Sequence, residues 1–228
     1  MIAIAIDGPA GAGKSTIAKA ASARLGFIYV DTGALYRAVG LYALRQGVTA
    51  LNEETVPPLL NRAEVSLRFI DGAQRVFLNG EDVSEAIRQN EVSMAASRVS
   101  AIPAVRAFLF ELQRKIAEEN NIIMDGRDIG TVVLPHAQVK IFLTASAEER
   151  AKRRFLELQE KGQEVSYDAI LAEIRERDHN DSTRAIAPLR QAEDAILIDT
   201  STASLPEAIE LVLQTIGEAL HKKGIPLL

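Results

Sequence analysis

The stretch Gly8-Pro9-Ala10-Gly11-Ala12-Gly13-Lys14-Ser15 follows directly on the apolar run Ile2-Ala3-Ile4-Ala5-Ile6-Asp7 and leads into Thr16-Ile17-Ala18-Lys19-Ala20-Ala21. It satisfies G-x-x-x-x-G-K-[ST] in full, and it sits between a strand pattern and a helix pattern, the context that gives the motif a mechanism. Small residues let the chain turn tightly. Successive backbone N–H groups then point inward and meet the N-terminus of a helix beginning near Lys14, which makes a nest for polyphosphate oxygens. In that nest Lys14 reaches the β- and γ-phosphates and Ser15 ligates Mg²⁺.

Outward from this loop, the helix runs from about Lys14 to Leu25, with Gly26 as its C′ residue. Phe27-Ile28-Tyr29-Val30 reads as a second short buried strand, ending in Asp31-Thr32-Gly33, where Thr32 is expected to cap a helix from Ala34 to Gln46 that closes at Gly47. Beyond Leu51 the texture changes. Glu64-Val65-Ser66-Leu67-Arg68-Phe69-Ile70 alternates apolar and polar, Asp71-Gly72 is a turn, and Arg75-Val76-Phe77-Leu78 resumes the alternation, a half-buried hairpin. Antiparallel sheet within a parallel α/β pattern reads as an insertion, placed at about Pro57 to Arg88. Two helical stretches follow with a break near Ile102-Pro103, the second running Ala104 to Asn120. Core strands are then expected at Ile122–Asp125, Val139–Leu143 and Ala195–Asp199. Between the last two lies a long helical excursion, from Ser146 to about Ala187, and an amphipathic helix from Pro206 to Lys223 covers the sheet. The pattern is one core with two excursions and no repeat or linker.

A chain of 228 residues with 47% hydrophobic content can bury a full core. No apolar stretch approaches a membrane span, and the N-terminus carries no basic, then apolar, leader, so no membrane association is expected. Zero cysteines exclude a disulfide framework, a thiolate nucleophile and cysteine-based metal sites, in keeping with a reducing cytoplasm. His136, His179 and His221 are scattered with no metal-ligand spacing. A net charge of −5 argues against a broad nucleic-acid-binding face, whose affinity comes from many lysines and arginines displacing counterions. Arginine is concentrated locally all the same, which suggests discrete phosphate sites on a small, highly charged ligand.

Three further constellations fit that ligand. Ile122-Ile123-Met124-Asp125 is an apolar strand ending in an acid; next to a phosphate loop, such an aspartate holds Mg²⁺ directly or through water. Gly126-Arg127-Asp128-Ile129-Gly130 places a cation and an anion at the carboxyl end of a parallel strand, where open α/β sheets form their ligand crevice. Asp31-Thr32-Gly33-Ala34-Leu35-Tyr36-Arg37 delivers hydroxyls and a guanidinium from a helix start, which suits a phosphate monoester as well as it suits an ordinary cap with a solvated arginine. The arginines of the excursion, Arg153, Arg154, Arg177 and Arg184, suggest a flap that closes over phosphates. Pairing with nearby glutamates competes with that reading for Arg150 and Arg154. It explains Arg177 and Arg184 less well, because they flank the polar stretch Asp178-His179-Asn180-Asp181-Ser182-Thr183, which is expected to be non-helical.

Taken together, the loop, Asp31–Arg37, Asp125-Gly126-Arg127-Asp128-Ile129-Gly130-Thr131-Val132-Val133, and Glu176-Arg177-Asp178 with Arg184-Ala185-Ile186-Ala187-Pro188-Leu189 closely resemble the bacterial cytidylate kinases. The resemblance runs nearly end to end. It implies a three-layer α/β P-loop core with a five-stranded parallel sheet, a monophosphate-binding lobe enlarged by a β-containing insertion, and a helical lid. Mapped onto this sequence as a single domain, the core covers about 1–33, 121–145 and 188–228, the lobe about 34–120, and the lid about 146–187. It implies ATP binding by Gly8, Pro9, Ala10, Gly11, Ala12, Gly13, Lys14, Ser15, Thr16 and Arg154. Ser97, Arg106 and Asp128 are implied to recognise cytosine, while Thr32, Tyr36, Arg37, Arg127 and Arg184 surround the CMP phosphate and Arg177 and Asp181 lie on its ribose and phosphate side. Lys14, Arg127, Arg153 and Arg184 are implied to be catalytic, and Ser15 and Asp125 to hold the metal. The implied activity is phosphoryl transfer from ATP to CMP or dCMP with Mg²⁺, by a cytoplasmic monomer that binds no nucleic acid. A kinase for UMP, AMP or a non-nucleotide acceptor, a nucleotide-dependent switch, and a nucleic-acid-binding ATPase are the competing readings.

Overall fold

The computed structural model describes residues 1–70 and 72–226. In chain order the strands are β1 (Ala3–Asp7), β2 (Ile28–Asp31), β3 (Val65–Ile70), β4 (Ala73–Leu78), β5 (Glu81–Asp82), β6 (Ile122–Gly126), β7 (Val139–Thr144) and β8 (Ile196–Asp199). The helices are α1 (Lys14–Leu25), α2 (Thr32–Arg45), α3 (Pro57–Leu60), α4 (Asn90–Val99), α5 (Pro103–Glu119), α6 (Ala147–Glu160), α7 (Tyr167–Thr183) and α8 (Leu205–Lys222). A 3₁₀ turn at Ala86–Arg88 and a π-helical turn at Ile129–Val133 complete them. The central sheet has the order β2-β6-β1-β7-β8, the five-stranded parallel sheet expected of this sequence. The chain divides into two compact units: Ile28–Ile122, together with Met1, and Ile2–Phe27 with Ile123–Leu228.

In the second unit β1 is parallel to β7 with Ile4 opposite Val139, and β7 is parallel to β8 with Ile141 opposite Ile196. Strands covered on both faces must be apolar on both, and Ile4, Ala5, Ile6, Ile123, Met124, Ile141 and Leu143 are fully buried or nearly so. Helix α8 lays Ala208, Val212, Ile216 and Leu220 against the core at a helical spacing, and it packs on α1. A capping box starts it: Ser204 Oγ accepts from the Glu207 amide while the Glu207 carboxylate accepts from the Ser204 amide. Helices α6 and α7 close on their own apolar seam of Ala151, Leu158 and Ile170, with Phe155 edge-on to Tyr167.

The polar stretch 178–183 is not the loop its composition suggests, because α7 continues helically through it to Thr183. Serine and threonine weaken a helix when they offer the backbone rival bonds. Here Ser182 Oγ donates to Asp178 O and Thr183 Oγ1 to His179 O, along the helix rather than against it.

In the unit Ile28–Ile122, β3 and β4 form an antiparallel hairpin with Val65 opposite Leu78, extended by β5. The three strands fall between residues 65 and 82; the turn residue Asp71 is outside the described residues. The hairpin's apolar face, Val76 and Leu78, packs with Ala38, Leu41 and Tyr42 of α2. Another part of α2, Leu35 and Val39, packs with Val99, Val105 and Leu109. Helix α2 starts two residues earlier than expected. Its cap is Asp31, whose Oδ1 accepts from the Ala34 amide at 3.1 Å, and Thr32 is the first helical residue rather than the cap. A carboxylate at the N-cap also gains from the helix dipole, an advantage over the hydroxyl next to it. The break between α4 and α5 falls at Ile102, with Pro103 in the first turn of α5.

The core account predicts that Ile216→Ala, which empties a fully buried site under α8, lowers the unfolding free energy by about 2–5 kcal/mol. Urea denaturation reads the loss, and a shift near zero would mean that α8 is not part of the cooperative core.

Candidate active site

The loop that follows β1 can be built only from residues of this kind. A Cβ on Gly8 would lie 1.9 Å from Leu143 O, a backbone atom of β7 that cannot yield. Gly11 has φ +75°, in the left-handed region, and its open side faces the stem of Arg150. The loop delivers the chain into α1, whose first residue, Lys14, is buried and donates from Nζ to Pro9 O at 2.7 Å. Burial, and next the Arg127 guanidinium, push the Lys14 pKa down to about 7, against the opposite pull of Asp125 and Asp7. The two cations repel each other in this low-dielectric setting, and the nearby carboxylates offset that repulsion only in part. Ser15 Oγ donates to Asp125 Oδ2 at 2.9 Å, so a hydroxyl from the first turn of α1 and a carboxylate from the end of β6 meet beside the loop. This pair of hard oxygen donors fits Mg²⁺, which takes few protein ligands and completes its shell with water and phosphate oxygens. Among the described residues there is no group of three or more His, Asp or Glu of the kind that holds a transition metal.

Asp7, the last residue of β1, ties this loop to the next one. Its Oδ1 accepts from the Ile129 amide at 2.8 Å and its Oδ2 from the Gly130 amide at 2.7 Å, fastening the π-helical turn after β6. Burial raises its pKa to about 6, outweighing the two amide bonds. The turn presents Arg127 and Asp128. Arg127 Nε donates to Asp181 Oδ2 at 2.8 Å, and Arg184 Nη2 donates to Asp128 Oδ1 at 3.3 Å with both side chains buried. Arg184 Nε also donates to Ala187 O at 2.7 Å, a carbonyl aimed by the left-handed backbone of Ala187, φ +48°. A non-glycine residue in that region is strained, and such strain persists only where the surrounding structure holds it.

The remaining arginines of this unit divide sharply. Arg150 is only 4% exposed; it donates to Ala145 O, to Ala10 O of the phosphate loop at 2.9 Å, and through both Nη atoms to the Asp178 carboxylate. Arg153 Nη2 donates to Thr200 O at 2.6 Å, just past β8. Arg154 pairs with Glu157 at 3.1 Å on an exposed face of α6. Arg177 is half-buried on α7, and Thr16 is exposed on the first turn of α1.

The unit Ile28–Ile122 holds its own candidates. Thr32 is buried at the start of α2, and Arg37 lies 3.6 Å from the Asp31 carboxylate. The Arg106 guanidinium sits 5.9 Å from the centroid of the Tyr36 ring, a cation–π contact, and donates to Ser100 O at 3.4 Å. Ser97 is half-buried on α4.

A family model described as cytidylate kinase matches residues 4–218. The chain belongs to the cytidylate kinase family. Relatives bearing that name include those of Caldicellulosiruptor bescii, 56% identical over 93% of this chain and 94% of the relative, and of Bacillus subtilis, 47% identical over 95% and 97%. Among solved structures, a gluconokinase from Sinorhizobium meliloti is similar in fold at a TM-score of 0.52, with 12% identity over 98% of this chain and 95% of that one. Membership in a kinase family carries with it the general use of ATP with Mg²⁺. Among the described residues no single helix is long and apolar enough to cross a membrane.

Asp7, Arg150 and Asp178 escape the sequence reading. In sequence Asp7 reads as the end of a strand, Arg150 as one arginine among glutamates, and Asp178 as part of a polar stretch expected to be non-helical. Once 178–183 is helical, Asp178 and Asp181 fall three apart on one face and Arg184 follows three residues on as the cap, a spacing present in the sequence.

Two predictions follow from the geometry. Gly8→Ala abolishes nucleotide binding and destabilises the fold, because the new Cβ collides with backbone; a binding isotherm unchanged from wild type would contradict the loop's seating. For Asp7, the raised folded pKa means that its stabilising contribution is present below the unfolded value of 3.8 and is lost as pH rises through about 6. Asn in its place does not titrate. The stability of Asp7→Asn relative to wild type therefore improves by about 3 kcal/mol between roughly pH 4 and pH 7, measured by denaturant unfolding across that range.

Proposed function

We propose that this chain transfers the terminal phosphoryl group of ATP to the 5′-phosphate of CMP or dCMP, giving ADP and the diphosphate. The observation that carries the reading is the buried Lys14 ammonium near the Arg127 guanidinium, beside a loop of backbone amides. A polyphosphate relieves that repulsion, whereas a neutral ligand does not.

Lys14 is the group for the β- and γ-phosphates, Arg127 and Arg184 neutralise the acceptor phosphate, and the lid arginines Arg153 and Arg154 approach the donor phosphates. Arg153 leaves Thr200 O for that role, a side-chain rotation that a lid over 146–187 supplies. Ser15 and Asp125 would hold Mg²⁺ with ATP oxygens, and the ion when bound cancels charge on the β- and γ-phosphates. Thr32, Tyr36 and Arg37, within the acceptor lobe of 34–120 and at its edge, receive the monophosphate. Ser97, Arg106 and Asp128 read the cytosine, the Asp128 carboxylate accepting from the exocyclic amine, and Arg177 and Asp181 serve the ribose and phosphate side.

No covalent intermediate is required. The acceptor oxygen is already anionic near neutral pH, so positioning and charge cancellation supply the rate and no general base is needed. In-line attack by a CMP oxygen on the γ-phosphorus forms one P–O bond as the bond to the ADP oxygen breaks. The zero cysteine content suits a reducing compartment, and we place the enzyme in the cytoplasm as a monomer acting on small molecules.

A panel of CMP, dCMP, UMP and AMP with ATP and Mg²⁺, read as ADP release, tests the reading: turnover is highest with the cytidine nucleotides, and equal rates with AMP would remove Asp128 as the base reader. Asp128→Ala raises the KM for CMP about 10- to 100-fold, the scale of a lost hydrogen bond to a charged group, and leaves ATP binding in place. Arg184→Met lowers kcat with every pyrimidine acceptor.

A further inference from the structure

The end of α7 carries Asp178 and Asp181, with Arg184 as the residue that caps it, at a spacing of three, and each is paired with an opposite charge from outside the helix. Asp181 takes Arg127 and Arg184 takes Asp128, both from the turn after β6. Asp178 takes Arg150, whose guanidinium at the same time holds Ala10 O of the phosphate loop. The Arg150 stem also lies under Gly11, since a Cβ there would meet Arg150 Cβ at 3.5 Å and its Cγ and Cδ at 3.9 Å. One buried side chain thus fixes a carbonyl and a glycine of the donor loop and hands their position to a helix that grips the acceptor-side cations.

We propose that Arg150 is a positioning residue for the phosphate loop and that, through Asp178, it couples occupation of the acceptor side to donor binding. The proposal rests on the kinase reading above for the assignment of the two sides. When an acceptor phosphate draws Arg127 and Arg184 toward itself, Asp181 and the end of α7 follow. Asp178, one turn earlier on the same rigid helix, shifts the fork of Arg150, and the Ala10 carbonyl moves with it. A fork of two parallel N–H donors transmits such a displacement, whereas a point charge would swivel. The surface pair Arg175–Glu148 joins the same two helices, at 2.7 Å, but both members are more than half exposed and touch neither loop. It is an internal control for mere helix docking.

The measurement is calorimetric binding of a non-hydrolysable ATP analogue with Mg²⁺, with and without saturating CMP, together with CMP binding alone. In the wild type CMP tightens the analogue about fivefold or more, within the usual range of coupling between sites. Arg150→Lys keeps the charge and loses the fork; it and Asp178→Asn reduce that factor to within about twofold of one, with CMP affinity alone unchanged. Glu148→Gln keeps the wild-type factor. Hydrogen exchange on the wild type supplies an arm free of any variant: CMP alone slows exchange across Gly8–Gly13. Absence of coupling in the wild type, no CMP effect on those amides, or full coupling in folded Arg150→Lys overturns the proposal. CMP turnover is assayed on the same preparation. No phosphorylation of CMP means that the kinase reading has failed, while normal turnover with undisturbed coupling in Arg150→Lys means that only this inference has.

Discussion

Positive charge held out of water for the use of a ligand must be balanced before the ligand arrives. Lys14, Arg150 and Arg184 all have buried side chains, and Arg127 is close to it. A lone buried cation is expensive, so each guanidinium among them has a carboxylate, and removing one partner costs far more than the pair contributes. Asp178, Asp181 and Asp128 fix those guanidinium groups in place, and on the proposed function they would hold them in orientations that a phosphate can use without further ordering. Lys14 has a backbone carbonyl, Pro9 O, in place of a carboxylate partner, and its depressed pKa records the shortfall. On the proposed function, polyphosphate oxygens would make up that shortfall.

The same constraint explains why the site is built from strand ends. Asp7 closes β1 and binds two amides of the turn after β6, so the loops that follow two neighbouring strands are fixed to each other by one buried carboxylate. Gly8, the next residue, leaves no space for a side chain against Leu143 O. Three adjacent strands thus determine where the loop backbone can go before any helix is considered. Helix α1 then starts with Lys14 already buried, and Ser15 already bonded to Asp125.

Much of this was legible in the sequence because the deciding signals are local. The glycine spacing, the apolar strand runs and the alternating hairpin each carry their structure within a few residues, and the five core strands, the β3–β4 hairpin and the α4–α5 break all lie where those signals put them. What escaped depends on distant partners. Residues 178–183 have a loop's composition, yet they are helical, with the Ser182 and Thr183 hydroxyls bonded to carbonyls four residues back and Asp178 and Asp181 paired to arginines 28 and 54 positions away. Arg150 reads as surface among glutamates, yet its partners Ala10 and Asp178 lie 140 and 28 residues distant. At the start of α2 the expected cap, Thr32, gives way to the Asp31 carboxylate one residue earlier. Pairwise charge neutralisation in a core has no periodicity, so sequence pattern alone cannot register it.

The most direct test of this balance is a crystal structure with a non-hydrolysable ATP analogue, Mg²⁺ and CMP bound together. The account predicts Lys14 Nζ moved from Pro9 O onto the β- and γ-phosphate oxygens, Arg127 and Arg184 within hydrogen-bond distance of CMP phosphate oxygens, and Arg150 still on Ala10 O and Asp178. Phosphates seated elsewhere, with Lys14 still on Pro9 O and both guanidinium groups turned away from them, would contradict it.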